Sequence, residues 1–161
     1  MRSVSSSPAA SGRRRRRLTA DELEAWRVFL RAHALLTRRL EADLVAEQGM
    51  SLASYDVLVT LVDAPARSLR MTELADRVLI SRSGLTRLVD RLERDGLVRR
   101  EPAPDDARGL LAVLTDTGYD RLRRASSTHL RGIDEYVVSR LTTGELLETG
   151  RVLGKLVDRL D

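Results

Sequence analysis

Seven polar side chains stand out because of where they fall: Arg82, Ser83, Thr86, Arg87, Asp90, Arg91 and Arg94 lie opposite an apolar stripe of Leu85, Leu88, Val89 and Leu92. That spacing predicts one amphipathic helix over 82–95, with Ser81 as its N-cap and Gly96 just past its C-terminus. An arginine on such a face can grip guanine O6 and N7 with both arms, and short hydroxyl residues allow close approach to base edges. Bases are met chiefly by the first turns of a reading helix, so Ser81, Arg82, Ser83, Thr86 and Arg87 are the candidate contacts, with Arg91 further along. A solvated face would look the same on a lone helix; its neighbours decide between the two readings. Further on, Arg108 sits among turn formers, placed to enter a narrow minor groove, and Asp106 two residues earlier can orient it.

Other chemistries find less support. His33 and His129 fall on different segments, and neither belongs to a metal-spaced cluster. Asp105 and Asp106 form an acidic pair, but in a proline-rich turn beside Arg108 they read as wing-orienting charges rather than catalytic acids. No glycine-rich loop follows a strand, so no nucleotide cofactor is expected, nor any metal. The chain has no cysteine, which removes thiolate ligands, cysteine nucleophiles and thiol redox sensing together. The reading is therefore not an enzyme.

The elements that must position these residues are legible around them. Met71 to Val78 reads as a short helix with Leu74, Ala75 and Val78 inward, and Leu79-Ile80 is a brief connector. Two short helices joined by a tight turn make a helix-turn-helix. Leu97–Glu101 and Leu110–Leu114 read as two strands joined by the turn-rich stretch 102–109, a hairpin directly after the helix pair. Together they raise the odds that the polar face of 82–95 meets DNA.

On either side lie helices. Leu23, Trp26, Leu30, His33, Leu36, Leu40 and Leu44 recur at three- and four-residue steps, predicting a long helix over about 20–47 that ends at Gly49. Its stripe is too long for a small reading head and is expected to pack in part on another chain; His33, lying on it, is expected to be buried. Ser51 or Ser54 caps a second helix with Tyr55, Leu58, Val59 and Val62 apolar, closed by Pro65. Thr115 caps a helix to about Ser139. Thr142-Thr143-Gly144-Glu145 is a capping box for a last helix with Leu146, Leu153, Leu156, Val157 and Leu160 inward.

Residues 1–17 are Ser, Ala, Pro and Gly followed by five arginines, Arg13 to Arg17. Such a segment buries too little apolar surface to order itself, so it reads as a disordered basic arm, adding phosphate contacts or serving as a plain solvated tail. No apolar stretch follows the arginines or approaches membrane-spanning length, which predicts a cytoplasmic protein with no membrane partner. Over 161 residues, 28 cationic side chains face 24 anionic ones for a net charge of +4, and Lys155 is the single lysine. That balance favours a polyanionic partner, although a GC-rich genome leaves the same arginine bias.

The assembled motifs resemble the MarR family. Glu73-Leu74-Ala75, the run Ser81 to Leu92, Gly96-Leu97-Val98-Arg99-Arg100, Asp106-Ala107-Arg108-Gly109 and Leu114-Thr115-Asp116-Thr117-Gly118 stand in order and at matching spacing across about residues 24–140. The resemblance implies a mainly α fold with a small β-hairpin wing, a winged helix-turn-helix lobe over 49–114, and a helical dimerisation platform from 18–48 and 115–161. It implies a homodimeric regulator on an inverted-repeat operator in double-stranded DNA, repression being the commoner mode in the family. It also implies a small aromatic or phenolic effector, for which Trp26, His33, Tyr55, Asp76 and Arg108 are the candidate pocket residues. Trp26, Asp76 and Arg108 are similar in order to a set used by urate-responsive relatives; the plainer reading makes Trp26 and Tyr55 core or interface aromatics and Asp76 a surface charge. The alternative is an architectural or protein-interaction winged helix without ligand response. Against an interaction face, the reading helix exposes no aromatic or methionine.

Overall fold

A computed structural model describes residues 16–104 and 106–160, with the side chains of Ala107 and Arg108 also outside the description. The expected basic arm over 1–17 therefore lies almost wholly outside the described residues. The chain divides into two compact units, residues 1–34 and 35–161.

The first unit holds the beginning of helix α1 (Ala20–Gln48). Thr19 and Glu22 form a reciprocal cap there: the Thr19 N–H donates to Glu22 Oε2 at 2.8 Å and the Glu22 N–H to Thr19 Oγ1 at 3.2 Å. Trp26 and Phe29 stack with ring centroids 5.7 Å apart. Trp26, Leu30 and His33 are exposed, so the expectation of a buried His33 is corrected. The stripe on α1 is real as a pattern, but within the chain it is buried only at its far end, at Leu40 and Leu44.

The second unit takes up α1 from Leu35. Gly49, at φ 57°, ends that helix as expected. Then come α2 (Leu52–Val62), a 3-10 turn at Pro65–Arg67, β1 (Ser68–Arg70), α3 (Met71–Arg77), α4 (Arg82–Arg94), β2 (Val98–Ala103), β3 (Asp106–Leu114), α5 (Asp116–Tyr136), a 3-10 turn at Val138–Arg140 and α6 (Thr143–Leu160). The strands form one antiparallel sheet in the order β1-β3-β2. β1 was not anticipated: three residues carry no periodicity, and Leu69 finds its partner Ala112 far along the chain. The hairpin is also longer than expected. Both strands run on into the Pro102–Gly109 stretch, with a register irregularity between Pro102 and Ala103 where the ladder tightens.

The core of this unit gathers Leu44 of α1, Val57, Leu58 and Leu61 of α2, Leu74 of α3, Leu85, Val89 and Leu92 of α4, Val98 and Ala112 of the sheet, and Leu122 and Ala125 of α5. Burying each large aliphatic side chain contributes about 1.5–3 kcal/mol, so α4 is fastened by its whole inner face. Gly118 marks the closest approach: a Cβ there would stand 2.0 Å from the Leu97 carbonyl oxygen. Thr115 closes the same corner, its hydroxyl donating to the Gly96 carbonyl at 2.7 Å while accepting from the Gly118 N–H at 2.9 Å.

α5 ends at Tyr136, three residues before the expected Ser139, because the chain tightens into the 3-10 turn. α6 starts at its predicted capping box, with the Thr142 N–H donating to Glu145 Oε2 at 2.8 Å. Its apolar face differs from expectation: no residue of α6 is buried, Leu146 and Leu153 are only half-covered, and Leu156, Val157 and Leu160 are exposed. Leu130 on α5 and Leu141 are exposed as well. Among the described residues no helix is long and apolar enough to cross a membrane.

Candidate nucleic-acid interface

Ser81 begins the site. Its hydroxyl accepts from the Gly84 N–H at 3.1 Å, capping α4 and lying 3.4 Å from the Ser83 hydroxyl. The cap fixes where the helix starts and therefore which residues occupy its first turn. Arg82, Ser83, Thr86, Arg87 and Arg91 all emerge exposed on the outer side, as their spacing predicted. Thr86 Oγ1 donates to the Arg82 carbonyl at 2.9 Å, which leaves its oxygen lone pairs and its methyl group for an external partner.

The arginines fall into two sets. Arg77 is held by Glu73 at 2.7 Å, Arg99 by Glu101 at 2.6 Å, and Arg100 by both Asp90 and Glu93. Arg82, Arg87 and Arg91 have no carboxylate partner among the described residues. Unpaired guanidinium groups exposed along one helix concentrate positive potential where a polyanion can approach.

The wing leaves Gly96, whose φ of 72° turns the chain out of α4 into β2. Its base is joined to the rest of the lobe by charge. Arg70 Nη1 of β1 donates to Asp106 Oδ2 at 3.5 Å, and Gly109 gives this pair room: a Cβ there would meet Arg70 at 2.8 Å and Asp106 at 2.9 Å. Asp106 thus meets Arg70 of β1, a partner that sequence spacing did not suggest. Arg108 lies on β3 within this hairpin.

Arg100 is the second residue that the sequence reading missed. Its Nη2 donates to Asp90 Oδ1 at 2.6 Å and to the Thr86 carbonyl at 3.2 Å, and its Nη1 donates to Glu93 Oε2 at 2.5 Å. The Arg100 backbone N–H reaches Glu93 Oε1 at 2.8 Å. Burial would lower the pKa of this guanidinium, but its hydrogen bonds to Asp90 and Glu93 outweigh it and hold the group above the usual arginine range.

The expected effector residues are dispersed in character. Tyr55 is a core residue of α2, its hydroxyl donating to Ser126 Oγ at 3.3 Å and its ring 4.4 Å from the His129 ring. Burial holds the His129 imidazole below its ordinary range, against the attraction of Asp56. Asp76 is exposed on α3, and Trp26 and His33 are exposed on α1 in the first unit.

A polar seam fastens the end of α1 to α5. Gln48 Nε2 donates to Thr128 Oγ1 at 2.9 Å, Thr128 donates to Glu47 at 3.0 Å, and Tyr136 donates to Asp43 at 2.7 Å. Arg121 adds bonds to the Gln48 side chain and carbonyl, and Arg131 pairs with Glu47. These contacts join the C-terminal end of α1 to α5 along its length.

Comparison with known proteins places this geometry in company. Residues 48–109 match the MarR family. The HTH-type transcriptional repressor YetL of Bacillus subtilis is 33% identical over 115 residues, covering 71% of this chain and 68% of that one. The transcriptional repressor MprA of Escherichia coli is 29% identical over 118 residues, covering 73% and 66%. Among solved structures, Sco3205, a MarR family transcriptional regulator from Streptomyces coelicolor crystallised in complex with DNA, is 41% identical with a TM-score of 0.85, covering 91% and 92% of the two chains. AbsC, a second MarR family regulator from that organism, is 34% identical with a TM-score of 0.82, covering 90% and 97%. These relatives are transcriptional regulators, not enzymes.

Proposed function

Because the chain belongs to the MarR family of winged-helix transcriptional regulators, we propose that it binds double-stranded DNA in a sequence-specific way as a homodimer, reading an inverted repeat and acting as a repressor. The observation that carries this is the outer face of α4, where Arg82, Arg87 and Arg91 stand unpaired among the described residues behind a capped first turn. Ser83 and Thr86 offer hydroxyls beside them, and Arg108 on the wing enters the adjoining minor groove. The repressor names of YetL and MprA favour repression as the mode.

The homodimer is supported by apolar surface that one chain leaves uncovered. Leu147, Leu156, Val157 and Leu160 of α6 are exposed, as are Trp26 and Leu30 of α1. Surface of this kind on consecutive turns marks an interface. The division of labour that follows is a reading lobe over 49–114, a dimerisation platform from 18–48 and 115–161, and a basic arm over 1–17. A two-fold dimer sets its half-sites about one helical turn, ~10 bp, apart. A small aromatic or phenolic effector is the expected releasing signal, with Trp26, His33, Tyr55, Asp76 and Arg108 the residues to test. The protein works in the cytoplasm, where the DNA is.

The test is a mobility-shift titration on the intergenic DNA flanking its own gene with random DNA as competitor. A discrete complex that resists competitor supports the proposal. A smear that competitor removes points to architectural binding without sequence preference.

A further inference from the structure

Among the described residues, the side-chain hydrogen bonds from β2 to α4 come from Arg100. Thr86, Asp90 and Glu93 stand at i, i+4 and i+7 along the edge of α4 facing the wing, and Arg100 reaches all three. We propose that Arg100 is a positioning residue for DNA recognition: its guanidinium, forked across two turns of the reading helix, sets the angle of the wing, so that discrimination between DNA sequences rests on a side chain that meets no base. The proposal deepens the DNA-binding reading above and rests on it.

Geometry and charge both argue for aiming rather than direct contact. Only 19% of the Arg100 side chain is exposed, and two carboxylates already satisfy it, so it has little to offer a phosphate. Asp90 and Glu93 lie on the helix that carries the reading arginines; without Arg100 they would be left there as two uncompensated anions. The planar fork matters, since a lysine ammonium on the same stem cannot span both carboxylates and the carbonyl. The wing is also a lever. At about 3.3 Å per residue, the turn of the hairpin lies roughly 13 Å beyond Arg100, so a 10° swing of the strand pair displaces it by about 2 Å. Major and minor groove entries sit at a fixed separation on the duplex, and a shift of that size takes the wing out of register with α4.

The experiment measures affinity of the full-length protein for the intergenic duplex flanking its gene and for a random duplex of equal length. Readings are taken well below the melting midpoint of each variant. Arg100→Lys is expected to lower the ratio of the two affinities about tenfold while changing random-DNA affinity less than about threefold. In an Arg108→Ala background, where the wing has nothing to aim, the same substitution is expected to cost less than about threefold in that ratio. Glu93→Gln, which keeps the guanidinium and weakens one arm of the fork, is expected to act in the same direction with smaller amplitude. Equal losses from Arg100→Lys in both backgrounds, or on both duplexes, would overturn the proposal and leave the DNA-reading function standing. An Arg108→Ala protein with an unchanged affinity ratio would overturn it together with the reading of the wing.

Discussion

Arg87 gives the sharpest prediction, because the protein does not already use it. Its guanidinium has no carboxylate partner among the described residues, and its neighbours Leu85, Leu88 and Val89 are buried behind it, so truncation to alanine removes an outward group without opening the core. If Arg87 grips guanine with both arms, Arg87→Ala costs about 1–3 kcal/mol, or roughly 5- to 150-fold, and that loss falls on the specific duplex alone. A phosphate contact behaves differently: affinity for every duplex drops alike, and the slope of log affinity against log salt falls by about one. Arg99→Ala is the internal control, since Arg99 is held by Glu101 at 2.6 Å and its removal should leave selectivity unchanged. Fluorescence anisotropy with specific and random duplexes at several salt concentrations separates these outcomes. Equal loss on the two duplexes from Arg87→Ala would refute base reading by this residue, and a selective loss from Arg99→Ala would refute the division into tied and free arginines.

Three further substitutions or truncations follow from the packing. Gly118→Ala forces a Cβ against the Leu97 carbonyl and should destabilise the lobe by about 1–3 kcal/mol or more, read as a lowered melting midpoint; an unchanged midpoint would mean the corner is loose. His129 has a folded-state pKa below its unfolded one, so the unfolded chain takes up the proton first and stability falls as pH drops through about 6.5 toward the folded value. His129→Gln should flatten the dependence of the melting midpoint on pH over that window, whereas Asp56, raised by burial from a carboxylate value, acts in the opposite sense at lower pH. Truncation after Leu141 removes α6 with its exposed leucines and should yield monomers by sedimentation; an intact dimer would count against α6 as an interface.

The parts of the fold that depend on local pattern were legible. Ser81, Gly96 and the Leu85–Leu88–Val89–Leu92 stripe specify α4 to within a residue, because cap, period and C-terminal glycine agree. The wing was recognisable as a hairpin, but its extent was not: prolines 102 and 104 read as loop, while pairing with β3 carries the strand to Ala103. β1 was invisible because its three residues are held by a partner more than forty positions away. The Arg70–Asp106 contact was hidden in the same way, its partners lying 36 positions apart, whereas Arg100 and Glu93 are 7 positions apart and meet only because the chain turns back at Gly96. The apolar pattern of α6 was read as an inward face, yet none of it is buried within this chain, because periodicity alone cannot distinguish cover from this chain and cover from another. His33 shows the same limit on α1.

The central claim is tested most directly by offering the full-length protein a pool of random-sequence duplexes, recovering the bound fraction through several rounds and sequencing it. Sequence-specific reading by a two-fold dimer predicts enrichment of an inverted repeat with half-sites about one helical turn apart, lost when Arg82 and Arg87 are replaced together. A bound pool with no common sequence would contradict the account.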